Sequence, residues 1–349
     1  MELGTLNELV NTRSVTKHIR KHNKDMIQGA GIGNDFSLVG DWASCEGVSG
    51  IPYIAWVKAM NNLAVSGAMP IGVRIVMLLP EDVTEADIKL YMKEFNLLAD
   101  NEAVQILGGH TEIGMHFNKA GFVVTAYGKV DAYIKDKDNT VLREFSYKQD
   151  IKSIKANDKI IMLGLAGLMG TDIIARKKHE ELVKRFAYSY IEGAYFNKED
   201  YAIEGKVRKL IDTYGKDVLY MHDVSHGGIY GALWQLGVRI KHGIKINHAE
   251  IPIKQETVEI SEFFDINPYM LEGTGSVVAV IGDDKKDEKS FYEKINEIVA
   301  CGIPAAVIGE VADNNDKAVI LGDKDNPEKR FLSPVKGDEI YKVIRINLT

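Results

Sequence analysis

The chain has only two cysteines in 349 residues, Cys45 and Cys301. Two thiols build no disulfide framework, and neither stands in the CxxC spacing of a zinc site. A reducing, cytoplasmic setting is the expectation. No apolar run approaches the roughly 20 residues that cross a bilayer, so no membrane partner is expected. The opening stretch MELGTLNELVNTRS lacks the apolar core and small-residue cleavage site of a secretory signal. An excess of basic charge is missing too. The formal net charge is −7, whereas a nucleic-acid partner asks for a basic face. The one local exception, residues 13–24 (RSVTKHIRKHNK), reads first as a solvated arm and second as a cationic segment near a polyphosphate. Low-complexity tracts and solenoid repeats are absent as well.

What is present is globular in character. The hydrophobic share is 45% and the charged share 27%, which excludes disorder and fibre compositions. The length suits two domains. Residues 71–79 read as a buried strand stopped by Pro80. Thr84 offers an N-cap with Asp87 three residues on, for a helix to about residue 99. Residues 104–107 form a short strand feeding Gly108 and Gly109, and 121–130 a half-buried strand. Residues 131–158 are charged and poor in apolar anchors, so the boundary is set there, giving domains 1–150 and 151–349. The second half opens with a buried strand at 159–165, a glycine-rich turn at 164–171 and a helix from Asp172. Residues 176–217 read as charged and aromatic helical material. A strand at 218–221, a turn at 222–228 and a helix to about 236 follow. Strands at 275–281 and 305–311 flank a helix at 288–300 that Gly302 closes. Alternating strands and helices in both halves give an α/β or α+β protein of mixed layers.

Four clusters combine glycine with short polar side chains. The first contains Gly29, Gly31, Gly33, Asn34 and Asp35, followed by Gly40 and Asp41. Glycines let main-chain N–H groups approach an anion, and a carboxylate just beyond holds the cation that neutralises it. A tight turn explains the same run equally well, since no clear strand enters it and no long helix leaves it. The second is residues 60–70, MNNLAVSGAMP. Asn61 and Asn62 suit a phosphate or metal-bound water, although a helix end with a glycine stop is the better local reading. The third, LGGHTE at 107–112, follows a strand and reads as a ligand-facing loop. His110 has no partner histidine at metal spacing, and Glu112 suits Mg²⁺ better because that ion takes oxygen ligands. The fourth is MHDVSHGG at 221–228. Asp223 suits a cation, and the helix start after Gly227 suits phosphate. An N-cap aspartate with two incidental histidines is the plain alternative. A Ser225 triad is disfavoured because no G-x-S-x-G elbow surrounds it.

Taken in order, these segments resemble the AIR synthase (PurM-like) superfamily, which includes aminoimidazole ribonucleotide synthetase, thiamine monophosphate kinase, selenophosphate synthetase and the hydrogenase maturation protein HypE. NNLAVSGAMP at 61–70 is similar to the family's N-D-L-A-x-x-G-A-x-P, and GGHTE at 108–112 to its G-G-[DHE]-T-E. HDVSHGG at 222–228 is similar to [HT]-D-[VLI]-[TS]-x-G-G. Asn267-Pro268 with Glu272-Gly273-Thr274, and residues 302–311, resemble its later segments. Five collinear matches span residues 29–311.

The resemblance implies a two-domain fold of α+β and α/β type. The N-terminal mixed α/β domain would lend strands to an intersubunit barrel in a homodimer, and the C-terminal domain would be α/β. It implies ATP and Mg²⁺ as cofactors, and phosphoryl transfer to an oxygen of a small-molecule or protein acceptor. Carried over by position, Gly31, Gly33, Asn61, Asn62, Gly108, Gly109, His110 and Thr111 would bind nucleotide. Asp35, Asp41, Glu112 and Asp223 would bind metal, with Asp35 and Asp41 competing for one role.

Several positions depart from the pattern. Asn62 stands where most relatives carry an Mg²⁺-binding aspartate, and His110 where thiamine monophosphate kinases carry Asp. The last residues, 341–349, contain no cysteine of the kind HypE proteins use, and no cysteine or selenocysteine of the selenophosphate synthetase kind occupies the N-terminal glycine-rich loop. Two readings from different classes result. One is an ATP-dependent enzyme close to HypE. The other is a HypE-like maturation factor without that cysteine, or a non-catalytic nucleotide-binding subunit.

Overall fold

The computed structural model describes residues 3–21, 23–130, 132–135, 141–145, 147–282, 288–313, 318–321 and 329–344. The last five residues, 345–349, and with them part of the cysteine-free C-terminal stretch, lie outside that set. So do His22 in the basic stretch and parts of 131–158. The chain divides into two compact units. An N-terminal unit holds His22–Ala30 and Asn34–Lys148, and a C-terminal unit holds Met1–Lys21, Gly31–Gly33 and Gln149–Thr349. The main change falls between residues 148 and 149, and the first 21 residues belong with the C-terminal unit. They carry helix α1 (Glu8–Ser14), capped by the Asn7 side chain, which accepts from the Leu9 and Val10 N–H groups.

The N-terminal unit is a six-stranded sheet with the order β1-β2-β3-β6-β4-β5. Its strands are β1 (Met26–Gln28), β2 (Ser37–Val39), β3 (Trp42–Ser49), β4 (Met69–Leu79), β5 (Gln105–Ile113) and β6 (Gly121–Lys129). All neighbours are antiparallel except β4 and β5. Helix α2 (Pro52–Ala64) and helix α3 (Glu85–Glu102) cover one face. The alternation seen in the sequence explains this. Phe122, Val124 and Ala126 of β6 are buried, and Phe122 meets Tyr91 and Phe95 of α3 edge-on. Trp56 of α2 is fully buried and donates its indole N–H to Glu102 at 2.8 Å. Helix α3 begins at the expected Thr84 cap with a complete capping box, and it runs three residues beyond the expected end. A hairpin, β7 (Ala132–Lys135) with β8 (Val141–Phe145), occupies the charged stretch that reads as a boundary.

The C-terminal unit is built on a seven-stranded sheet of order β10-β12-β9-β13-β11-β14-β15. The ranges are β9 (Lys159–Leu163), β10 (Val218–Val224), β11 (Ile244–Asn247), β12 (Ser276–Ile281), β13 (Ala305–Val311), β14 (Val319–Leu321) and β15 (Lys329–Phe331). Central strands β9 and β12 are buried on both faces, which is why they read as apolar runs, and edge strand β10 is buried along its whole length as well. In chain order the helices are α4 (Leu168–Lys177), α5 (His179–Leu182), α6 (Tyr188–Gly193), α7 (Glu204–Tyr214), α8 (Gly228–Ile240), α9 (Gln255–Phe263), α10 (Glu288–Ala300) and α11 (Ile340–Val343). Ile229, Leu233, Leu236 and Ile240 of α8 form one core with Ile160, Met162, Val278 and Val280. Helices α7 and α10 pack on each other and on the sheet. Helix α4 begins at Leu168, four residues ahead of the expected start, and this puts Asp172 inside it. There Asp172 accepts from the Phe196 N–H, the Tyr201 hydroxyl and Arg176, and so anchors the aromatic segment that follows. Among the described residues, no helix is long and apolar enough to cross a membrane.

Candidate functional site

The glycine-rich run of the first cluster is the loop between β1 and β2, so a short strand does lead into it. Gly31–Gly33 belongs to the C-terminal unit, and the flanking residues to the N-terminal one. Gly33 has a φ of +68°, and a Cβ there would lie 2.9 Å from Cβ of Arg239. Only glycine fits that turn against α8. Its carbonyl accepts from the hydroxyl of Tyr220 on β10 at 2.6 Å. Next along β10, His222 meets the Gln235 Oε1 of α8 through Nε2 at 2.6 Å. The Gln235 amide nitrogen donates to Glu8 of α1 at 2.8 Å. An amide that donates to a carboxylate turns its oxygen to the imidazole, so His222 carries its proton on Nε2. The sequence reading missed Glu8, Tyr220 and Gln235, for no local pattern joins residues this far apart in the chain.

Asp223 follows on the same strand and is buried, with 6% of its surface exposed. The strand continues through 222–224, where the sequence suggests a turn, because the antiparallel pairing with β12 runs on to Val224↔Ser276. The turn is confined to 225–227, and α8, 13 residues long, begins at Gly228. A buried carboxylate thus sits shortly before a helix N-terminus, where main-chain N–H groups and the helix dipole favour an anion.

In the N-terminal unit the other flank of the glycine loop holds Asn34 and Asp35. The Asn34 amide donates to the Gly29 carbonyl at 2.5 Å, while its Oδ1 is buried without a partner among the described residues. Asp41 lies in the turn between β2 and β3, with Oδ2 3.0 Å from Lys129 Nζ. The bond from Lys129, and then its own main-chain N–H, hold its carboxyl below the usual range. Asn61 and Asn62 lie in the last turn of α2. Asn61 is buried, and Asn62 donates its amide to the Glu46 carbonyl of β3 at 3.0 Å. Cys45 on β3 is buried and donates its thiol to the Ala59 carbonyl, a packing role.

The expectation that GGHTE forms a loop after a short strand is corrected. All five residues lie within β5, which stays paired with β4 from Gln105 to Ile113. A register shift between Val73 and Arg74 lets the pairing continue past Gly108. A Cβ at Gly109 would stand 1.8 Å from the Ile75 carbonyl, so glycine is required there by strand packing. His110 Nε2 and Glu112 Oε2 lie 3.4 Å apart on one face, both well exposed. Thr111 pairs opposite Met77 and is exposed too. Strand β5 is a sheet edge, and Ile106 alone on it is not fully exposed.

The C-terminal unit, with its strand–turn–helix, buried aspartate and glycine-bearing loop, is similar to AIR synthase-related proteins, and the chain is similar in fold to PurM-like proteins such as HypE. Residues 155–322 match the family described as AIR synthase related protein, C-terminal domain. The carbamoyl dehydratase HypE of Rhizobium leguminosarum bv. viciae is 22% identical over 73% of this chain and 67% of its own length. Among solved structures, HypE in a HypE–HypF complex superposes with a TM-score of 0.67 at 21% identity, covering 87% of this chain and 94% of that one. A HypE solved in complex with ATP gives 0.64 at 16% identity, covering 92% of each chain.

Proposed function

We propose that this chain binds ATP with Mg²⁺ and transfers a phosphoryl group to an oxygen of a small-molecule or protein acceptor. The observation that carries the reading is Asp223, buried at the end of β10 just ahead of α8. A carboxylate there holds a cation, and the helix start holds the phosphate which that cation neutralises. The fold shared with an ATP-bound HypE supports it. The donor chemistry fits as well. Asp35, Glu112 and Asp223 offer carboxylate oxygens, and Asn34 offers a buried amide oxygen without a partner among the described residues. Mg²⁺ takes oxygen ligands of this kind.

Bound Mg²⁺–ATP supplies the activated phosphorus, and catalysis then rests on positioning and charge neutralisation. Gly33 holds the loop against Tyr220, with Gly31 in the same loop, and His222 is fixed in one tautomer by Gln235. In this reading Asp35 takes the metal role in the first cluster, with Asp41, which pairs with Lys129, as its competitor. Asn61 and Asn62 at the end of α2, and Gly108 to Glu112 on β5, complete the assignment. Their exposure keeps His110, Thr111 and Glu112 accessible to a ligand.

The partner for the exposed sheet is a second copy of the chain. Trp42, Val48, Leu107 and Ile113 are all more than 45% exposed, and β5 presents an open edge nine residues long. Apolar surface of that kind on a sheet marks an association site. The two free cysteines fit a reducing cytoplasm. A second reading, a non-catalytic nucleotide-binding subunit, rests on Asn62, whose amide is committed to Glu46.

The test is calorimetric titration of the purified chain with a non-hydrolysable ATP analogue, with and without Mg²⁺. Micromolar binding that requires Mg²⁺ is expected. No heat at millimolar analogue would overturn the proposal, while tight binding without turnover of any acceptor would favour the second reading.

A further inference from the structure

A second group of ligand-type side chains lies within the C-terminal unit, one on the turn just ahead of α8 and two on segments that the nucleotide reading leaves unused. His226 stands in the turn after β10, Glu272 in the loop before β12, and Asp338 just before α11. One ligand atom from each lies within 4.8 Å of the others. The Asp338 side chain is fully buried, Glu272 is buried, and His226 is mostly covered.

The carboxylates are held in the way metal ligands are held. Asp338 Oδ2 accepts from the Gly227 N–H at 2.7 Å, and Oδ1 accepts from the N–H groups of Ile340 at 2.9 Å and Glu272 at 3.1 Å. Glu272 Oε1 accepts from the Thr274 hydroxyl at 2.7 Å. Such second contacts fix the orientation of a ligand before the ion arrives. Between His226 Nδ1 and Asp338 Oδ2 the distance is 3.9 Å. That is too long for a hydrogen bond. Two ligands on one tetrahedral zinc stand about 3.4 Å apart, given bonds of about 2.0–2.1 Å, so a small contraction would close the site.

Charge points the same way. The Glu272 and Asp338 carboxylates are buried beside one another. A divalent ion between the two carboxylates turns their repulsion into attraction. Imidazole nitrogen beside two carboxylates selects a first-row transition metal over Mg²⁺ or Ca²⁺, which prefer oxygen alone. A cavity of about 480 Å³, lined by Asp338, Tyr341, Tyr230 and Met270 among others, lies beside the cluster.

We propose that His226, Glu272 and Asp338 form a site for one transition-metal ion, zinc foremost, which clamps the segment before α11 onto the loops at 225–227 and 271–274. The site adjoins the helix start that the nucleotide reading gives to phosphate, but it rests on other side chains, and its test uses no nucleotide. The full chain is stripped with chelator, titrated with zinc sulfate, and its retained metal counted after gel filtration. One zinc per chain is expected, with a rise in melting temperature of several degrees. His226→Asn and Glu272→Gln should each weaken binding at least 100-fold, and Asp223→Asn should leave it intact. Retention of no zinc, equal binding by both variants, or loss of zinc in Asp223→Asn alone would overturn the proposal. Zinc-edge absorption of the wild-type chain gives a reading that does not depend on variants folding. One imidazole with carboxylate oxygens at about 2.0 Å supports the site, and a sulfur ligand or two or more imidazoles refute it.

Discussion

Asn62 donates its side-chain amide to the Glu46 main-chain carbonyl across 3.0 Å and so ties the end of α2 to β3. An aspartate, the residue the family pattern carries here, has no proton to give that carbonyl and would set a negative charge against it. Asn62→Asp is therefore expected to cost about 1–2 kcal/mol in the presence of chelator, a lost hydrogen bond plus repulsion. If residue 62 faces the metal, Mg²⁺ should restore part of that loss. Chemical denaturation with and without Mg²⁺ measures both, and a loss indifferent to Mg²⁺ counts against a metal at this position.

The two aspartates of the first cluster should separate in binding. Asp41 is engaged by Lys129, so Asp41→Asn should leave the Mg²⁺-dependent affinity for an ATP analogue within about twofold. Asp35→Asn should lower it at least tenfold, since a carboxylate facing a divalent ion carries most of the attraction. Titration of both variants decides, and the reverse ranking would transfer the metal role to Asp41.

Tyr220→Phe removes the hydroxyl that donates to the Gly33 carbonyl. A buried carbonyl left without its donor costs about 1–3 kcal/mol, so the urea midpoint should fall accordingly. If the loop serves the nucleotide, the analogue's affinity should fall as well. A stability loss with unchanged affinity would confine Tyr220 to packing.

Association through the open sheet face is tested by Val48→Lys combined with Trp42→Lys. Both side chains are about half exposed or more, so the substitutions should be tolerated within the chain itself. Sedimentation should show the wild type as a dimer and the variant as a monomer. A wild-type monomer at tens of micromolar would remove the dimer from the reading.

Lys206 supplies a pH signature. Burial lowers its pKa, against a smaller opposing pull from Asp200, while its ammonium donates to the Asp200 and Ala202 carbonyls. A native pKa below the unfolded one means that the unfolded chain binds the proton more tightly. The native state is thus penalised at neutral pH, and the penalty fades as pH rises through the native pKa toward the unfolded value of about 10.4. Relative to Lys206→Met, the wild type should gain stability as pH rises toward the unfolded value of about 10.4. Parallel denaturation curves for the two proteins across that rise would contradict the shift.

Where a feature depended on neighbours in sequence, the sequence carried it. The Thr84 cap, the strand ending at Pro80 and the apolar runs of β9 and β12 follow from local pattern and burial on both faces. Strand β5 did not, because its last six residues are strand only through pairing with β4, and their composition resembles a loop. The hairpin at 132–145 was hidden by charge, which says loop more loudly than the pairing of short strands says sheet. At the candidate site, Asp223 and Gly33 were visible as motif residues. Tyr220 and Glu8 were not, since their bonds close loops of 187 and 227 residues that no window in the sequence spans.

The assignment of Met1–Lys21 and Gly31–Gly33 to the C-terminal unit means that the chain passes between its two units at four places, after residues 21, 30, 33 and 148. A single break after residue 148 would therefore leave Glu8 still bonded to Gln235 and Gly33 to Tyr220. The two fragments would have reason to stay associated, and to find each other again if made separately. A chain stitched in this way should behave as a split protein: its halves are not its units, and complementation is expected to follow the stitches rather than the boundary.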